Sequence, residues 1–303
     1  MSIVTPQLIL NLNAGFSAAF REGFGSVKPQ WNSVAMLATS KGSSNTYGWL
    51  GKFPGFREWA GDRVVNSMKA HGYSIVNKAF EATMGVGRDE IEDDLTDTYG
   101  TLFREAGVTA SLFPDKLVFG AVNAAASSLC YDGQFFFDTD HPVYPNVDGT
   151  GTAVSVANFV AGSNPTWYLL DLSRSLKPFI LQERKKAAFT AMDRPDDESV
   201  FVRKEFRYGI DGRWNAGYGL WQLAYASRAA LTHASLDAAI TAMEGFKADG
   251  GEPLGVRPTA ILFPSTLRAT VENIIDKEKI DGGDSNTHYK RLTKIQSDYL
   301  ATT

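Results

Sequence analysis

A single cysteine, four histidines and no long apolar run set the first limits on this sequence. With Cys130 alone there is no intramolecular disulfide and no zinc site built from several thiolates, a usage that fits synthesis in a reducing compartment. No stretch approaches the roughly 20 apolar residues that cross a bilayer. The opening Met-Ser-Ile-Val-Thr-Pro-Gln lacks the basic-then-apolar order of a secretory leader, so neither membrane insertion nor export is expected. An excess of positive charge is missing too. Thirty Lys and Arg against 34 Asp and Glu leave a net charge of −4, which argues against an autonomous nucleic-acid binder that neutralises many phosphates.

Catalytic signatures are equally scarce. There is no Gly-x-Ser-x-Gly elbow and no cysteine with a histidine close by in sequence. The phosphate loop Gly-x-x-x-x-Gly-Lys-Ser/Thr does not occur, and Gly85-Val-Gly87 lacks the third glycine of a dinucleotide site. The acidic run Asp89–Asp94 reads as a solvated helix start, where the dipole favours negative charge. The basic strip Gln182–Lys186 reads as the exposed end of a strand, with contact to DNA or to a neighbour's acidic face as the alternative. Asp138, Asp140 and His141 are the one grouping with metal-ligand chemistry. Pro142 follows His141 directly, and a turn whose side chains bond backbone amides accounts for the same residues. No cofactor and no metal are expected. A metal-dependent hydrolase using those three residues stays as an alternative.

What the sequence does have is rings among glycines. Residues 44–63 hold Tyr47, Trp49, Phe53, Phe56 and Trp59 between Gly48, Gly51, Gly55 and Gly61. Glycine breaks regular structure, while large rings need to be buried. Such a segment is a candidate for burial against a neighbouring molecule, with an aromatic loop folded onto its own core as the equal alternative. Arg63–Met68 and Tyr73–Thr83 read as extended legs joined across Lys69–Gly72. A leg of a dozen residues at about 3.3 Å each reaches roughly 40 Å, more than a compact domain needs internally. Tyr47, Trp49, Phe53, Phe56, Trp59, His71 and Tyr73 are therefore the candidate inter-subunit contacts.

Elsewhere the pattern is mixed. Leu8–Phe24 predicts a short, loosely held helix broken by Gly15 and Gly23. Leu95, Tyr99, Leu102, Phe103 and Ala106 form one helical stripe ended by Gly107, and Pro114 opens a second helix to about Ala126. Cys130–Thr152 is irregular. Strands are predicted at Trp167–Asp171, Pro178–Arg184, Val200–Ile210 and Tyr218–Ser227, with Asp211-Gly212 as a hairpin turn. Leu236, Ile240 and Met243 line a helix, Thr259–Phe263 is a buried strand, Ser265 caps a last helix and Lys290–Leu300 is a closing strand.

Taken in order, these blocks resemble the major head proteins of Mu-like bacteriophages and prophages. The stretches that carry the resemblance include Ser44–Pro54, Ala70–Ile75, Glu92–Asp94, Cys130–Gln134, Phe137–Val143, Tyr144–Thr150, Trp167–Asp171, Lys177–Ile180, Gln182–Arg184 and Gly217–Gln222. They span nearly the whole chain, from Val4-Thr-Pro6 to Asp298-Tyr-Leu300. The resemblance implies an α+β HK97-like capsid fold without enzymatic activity. It places an N-terminal arm at 1–43, an extended loop at 44–84, a peripheral domain at 85–232 with a spine helix at about 89–113, and an axial domain at 233–303, with the irregular 130–160 possibly axial. It implies self-assembly into pentamers and hexamers forming an icosahedral head around double-stranded DNA. Portal, scaffold or decoration proteins would be the other partners, no membrane is involved, and the virion is built in the host cytoplasm. A tail-tube subunit is the structural alternative.

Overall fold

The computed structural model describes residues 5–50, 72–92, 96–147, 149–194, 197–280 and 282–302. The chain begins with helices α1 (Pro6–Ser26) and α2 (Trp31–Val34), then strands β1 (Ala35–Thr39), β2 (Ser44–Thr46), β3 (Ser74–Val76) and β4 (Lys78–Gly87). Helices α3 (Arg88–Glu92) and α4 (Thr96–Ala124) lead to β5 (His141–Val143), β6 (Val154–Val156), β7 (Phe159–Val160), β8 (Trp167–Leu170) and β9 (Phe179–Met192). Helix α5 (Glu198–Arg203) joins β9 to β10 (Glu205–Tyr218). A 3-10 turn at Trp221–Leu223 precedes β11 (Ala224–Ser227), α6 (His233–Glu244), β12 (Ala260–Phe263), α7 (Arg268–Ile275) and β13 (Thr293–Gln296).

Two sheets organise these elements. The first has strand order β1-β9-β10-β4, with β1 parallel to β9 and the other pairs antiparallel. Helices α1 and α4 cover it, and Phe16 stacks on Phe103 at 4.3 Å while both meet Tyr208 edge-on. The second sheet runs β13-β12-β8-β11-β7. Its central strands β8, β11 and β12 are buried throughout, so they read as continuous apolar runs rather than alternating ones. The strands β7, β8 and β11, which fall before the expected boundary at 232/233, thus share a sheet with β12 and β13 from beyond it. Hydrogen-bonded pairing groups 159–170 and 224–227 with the C-terminal block, and groups 179–218 with β1 and β4.

Several expected element bounds shift for identifiable reasons. The N-terminal helix is a full 21 residues, capped by the Thr5 side chain, which accepts from the Leu8 amide at 3.2 Å. Gly23 and Gly107 do not break helices; they let α1 and α4 touch. A Cβ on Gly23 would lie 1.9 Å from the Arg104 carbonyl oxygen, and one on Gly107 2.1 Å from that of Phe20. Helix α4 runs through both Gly107 and Pro114 for 29 residues, about 43 Å, instead of stopping and restarting. Pro114 forfeits one intrahelical bond. Beyond it the Asp115 carboxylate receives the Gln30 and Trp31 amides, at 3.0 and 2.7 Å, tying α2 to this turn.

Asp211-Gly212 proves to be a bulge inside β10 rather than a turn, with the register against β9 shifting between Asp211 and Trp214. A Cβ at Gly212 would collide with the Trp214 ring, which folds back over it. The actual reversal between β9 and β10 is α5, so Val200 is helical, not extended. Tyr218–Ser227 likewise divides into the end of β10, the 3-10 turn and β11. In the C-terminal part, Leu236, Ile240, Met243, Val271, Ile274 and Ile275 are buried as their spacing predicts, whereas Ser265 makes no side-chain cap.

Between α6 and the segment after α7, His288 is fully buried and stacks on His233 at 5.5 Å. Neither ring nitrogen is hydrogen-bonded, although the Asp237 carboxylate lies 3.3 Å from Nε2 without the alignment for a bond. Burial holds the His288 imidazolium below the ordinary histidine range, with His233 and Arg291 acting the same way and Asp237 opposing them. A group whose folded pKa is depressed binds its proton more readily when unfolded, so stability falls as pH drops below the ordinary value of 6.5. The isolated protein is therefore expected to melt at progressively lower temperature from pH 7 to pH 5. His288→Leu should flatten that slope; equal slopes for both proteins would refute the assignment.

Candidate assembly interface

The feature singled out from sequence is the ring-rich segment between β2 and β3, of which residues 47–50 and 72–73 are described. Its base is fully described. β2 and β3 pair antiparallel, Ser44 with Val76 and Thr46 with Ser74, and the Tyr47 amide donates to the Tyr73 carbonyl at 2.9 Å. Residues 47 and 73 thus stand side by side although 25 residues separate them in the sequence.

Below this base sits a buried polar network centred on Gln182 of β9. The Tyr47 hydroxyl donates to Gln182 Oε1 at 2.9 Å, and Gln182 Nε2 donates to the Ile75 carbonyl at 2.9 Å and to Asn77 Oδ1 at 2.8 Å. Asn77 Nδ2 continues to Ser40 Oγ and the Gly42 carbonyl at 2.8 and 2.9 Å. Burial pushes the Tyr47 phenol up, so its hydroxyl stays a donor. On the other leg, the Tyr73 hydroxyl accepts from the Tyr218 amide at 2.8 Å, and Asn215 Nδ2 donates to the Val76 carbonyl at 2.7 Å. Every partner comes from β9, β10 or the turn after β1. The loop base is welded to the first sheet.

This geometry redistributes the candidate contacts. Tyr47 is buried, and Trp49 and Tyr73 pack against the same core; Trp49 meets the Tyr47 ring edge-on at 6.2 Å. The Tyr47 and Tyr73 hydroxyls are committed to Gln182 and β10, and Trp49 is held by packing, so the three rings tie the loop base to their own chain. Phe53, Phe56, Trp59 and His71 lie outside the described residues. The leg expected at Arg63–Met68 is outside them as well, and the return leg divides into β3 and β4, of which β4 is an edge strand of the first sheet paired with β10.

Sequence reasoning missed a second exposed apolar feature. Phe201 and Val202 on α5, at the far end of the β9–β10 hairpin, are 84% and 67% exposed. Reading Val200–Ile210 as a strand turned Val202 inward; the helix turns it out. The only available signal was the run Val-Phe-Val at 200–202 just after Asp196-Asp197-Glu198, a helix start.

The Asp138, Asp140 and His141 grouping is not assembled. Asp138 accepts from the Phe135 and Thr139 amides at 3.1 and 2.7 Å, which is the turn role weighed against metal ligation. Asp140 is exposed, its carboxyl raised by desolvation and by the neighbouring Asp138. His141 turns inward, with Nδ1 2.7 Å from Asp132 Oδ2 and its ring flat against Trp221 at 4.1 Å. In the basic strip, Arg184, Lys185 and Lys186 are exposed, and Lys185 pairs with Asp211 across the hairpin.

The sequence matches the family described as Mu-like prophage major head subunit gpT over residues 9–300. It is 44% identical over 304 aligned positions to the major capsid protein of Escherichia phage Mu, covering 98% of this chain and all of that one. The fold is similar to that of the subunit in the procapsid of bacteriophage JBD30, at TM-score 0.86 and 46% identity, covering 98% of this chain and 100% of the other. Similarity also extends to the capsid of JBD30 decorated with minor capsid protein trimers, at TM-score 0.76 and 32% identity over 99% and 100% of the two chains.

Proposed function

The chain belongs to the family of Mu-like prophage major head subunits, and from that premise we propose that its copies assemble as pentamers and hexamers into a closed icosahedral head around double-stranded DNA. It is a structural capsid subunit with an HK97-like α+β fold, not an enzyme. Similarity over the entire length of relatives that form capsids is the observation that carries the reading. In this reading the first sheet with α1 and α4 is the peripheral domain, and the second sheet with α6 and α7 is the axial domain. The excursion between Tyr47 and Tyr73 is the extended loop.

A closed ring needs a heterologous contact, in which one patch of a subunit meets a different patch on the next. The extended loop supplies the first patch. Phe53, Phe56, Trp59 and His71 reach the neighbour, while Tyr47, Trp49 and Tyr73 hold the near end still. A preanchored base lowers the ordering cost of that contact. Many such contacts, each between subunits already linked, then sum through high effective concentration. Its JBD30 relatives include both a procapsid and a decorated capsid, which supports assembly as a precursor that later rearranges. Portal, scaffold and decoration proteins are the further partners, and assembly takes place in the host cytoplasm. A net charge of −4 favours proximity to the genome without tight capture.

Electron microscopy of the purified product tests the reading: closed isometric shells are expected, and tubes or monomers alone under native conditions would reject it. Trp59→Ala tests the loop. Particle yield should fall at least about tenfold, as for an aromatic hot spot worth about 2 kcal/mol, while the circular dichroism of the unassembled subunit is unchanged. Wild-type yield would exclude Trp59 from the interface.

A further inference from the structure

We propose that Cys130, Asp132 and His141 form a binding site for a thiophilic divalent cation of the zinc class, which fastens the turn after α4 to the start of β5. One donor atom from each residue lies within 4.8 Å of the others, and no other such group occurs among the described residues. Thiol, carboxylate and imidazole are the donor set that zinc takes, at bond lengths of about 2.0–2.3 Å. The set is also held in place by backbone rather than by chance rotamers. Cys130 and Asp132 sit in a tight turn closed by the Leu129–Phe135 bridge, with the Cys130 amide on the Gln134 carbonyl at 2.8 Å and Gly133 at φ +88°. His141 opens β5, and Trp221 lies flat beneath its ring.

In the cation-free state Asp132 is the hub. Its Oδ1 accepts from Cys130 Sγ at 3.0 Å and from the Gln134 amide at 3.1 Å, and its Oδ2 meets His141 Nδ1 at 2.7 Å. Those bonds occupy His141 Nδ1, the nitrogen that faces the other two donors, and leave Nε2 buried on the far side of the ring without a partner. Tetrahedral ligation separates a nitrogen and an oxygen donor by about 3.3 Å, so the Nδ1–Oδ2 distance opens by about half an ångström, while the sulfur, within 4.8 Å of the other donors, settles about 3.5 Å from the nitrogen. The thiol proton leaves to solvent, and the proton of a neutral imidazole passes from Nδ1 to Nε2. Metal–sulfur, metal–nitrogen and metal–oxygen bonds form, with water in the fourth position, and one proton is released per cation. Burial and the Asp132 carboxylate hold the free thiol protonated; a bound dication reverses that preference. The role is structural, since Asp132 and Cys130 are almost wholly enclosed.

Cobalt(II), added to the untagged full-length subunit, is the probe. One equivalent should bind with the thiolate-to-cobalt charge-transfer band and the visible bands of a four-coordinate ion, and zinc should bleach both. Cys130→Ser, which keeps a hydrogen-bonding group beside Asp132, should abolish the charge-transfer band and weaken binding at least about tenfold. His141→Gln should weaken it similarly; if that variant does not fold, Cys130→Ser decides alone. A wild-type subunit that gives no charge-transfer band at stoichiometric cobalt overturns the proposal. So does a band or an affinity that survives Cys130→Ser.

Discussion

Gln182→Leu is expected to release the base of the extended loop and to abolish shell formation. The side chain is fully enclosed and nearly isosteric with leucine, so the change creates little cavity. What it removes is the partner of the Tyr47 hydroxyl, the Ile75 carbonyl and Asn77 Oδ1 at once. A buried polar group left unsatisfied costs about 1–3 kcal/mol, so three of them cost roughly 3–5 kcal/mol even if some find water. That is a large part of a typical folding stability of about 5–15 kcal/mol. Urea unfolding of the unassembled subunit measures the loss, and a double-mutant cycle with Tyr47→Phe should return a coupling of about 1 kcal/mol or more. An unchanged unfolding midpoint with normal shells would show that the network does not hold the loop.

Gly107→Val should displace α1 from α4. The new Cβ would stand 2.1 Å from the Phe20 carbonyl oxygen and 2.7 Å from the Phe24 amide nitrogen, and both obstructions are backbone. No rotamer relieves them. One helix has to move, and the Phe16–Phe103 stack moves with it. Overpacking of this kind costs about 1–3 kcal/mol, which makes the undocked state roughly five- to 150-fold more populated. Tryptic cleavage at Arg21 should accelerate by that factor. Gly15→Ala is the control within the same helix: its Cβ meets nothing within 4 Å, and alanine is favoured over glycine in a helix interior by about 0.5–1 kcal/mol. It should leave cleavage unchanged or slow it. Equal acceleration by both variants would mean that helix propensity, not the crossing, governs α1.

The sequence was most legible where burial is periodic. Leu236, Ile240 and Met243 recur at helical spacing, and Ala260–Phe263 is apolar throughout, so α6 and β12 were readable. It was least legible where one residue type serves two ends. Gly107 and Gly23 look like helix breakers, yet they are the points at which two helices touch. Asp211-Gly212 carries the composition of a hairpin turn, but the Trp214 ring folding onto Gly212 makes it a bulge. Tyr47 and Tyr73 belong to a ring-rich block, and nothing local distinguishes a ring that anchors from one that reaches out. Their partners, Gln182 and the Tyr218 amide, are 135 and 145 residues away.

The missing motifs were enough to set aside the familiar catalytic templates, and the resemblance carried by the ordered motif stretches placed the chain among phage head subunits, because both are read along the chain. The division into two sheets, the inward turn of His141 toward Asp132 and the anchoring of the loop base were decided by the fold alone. Each depends on which distant strands come to lie within hydrogen-bonding distance, about 3 Å, and no local pattern of residue types encodes that proximity.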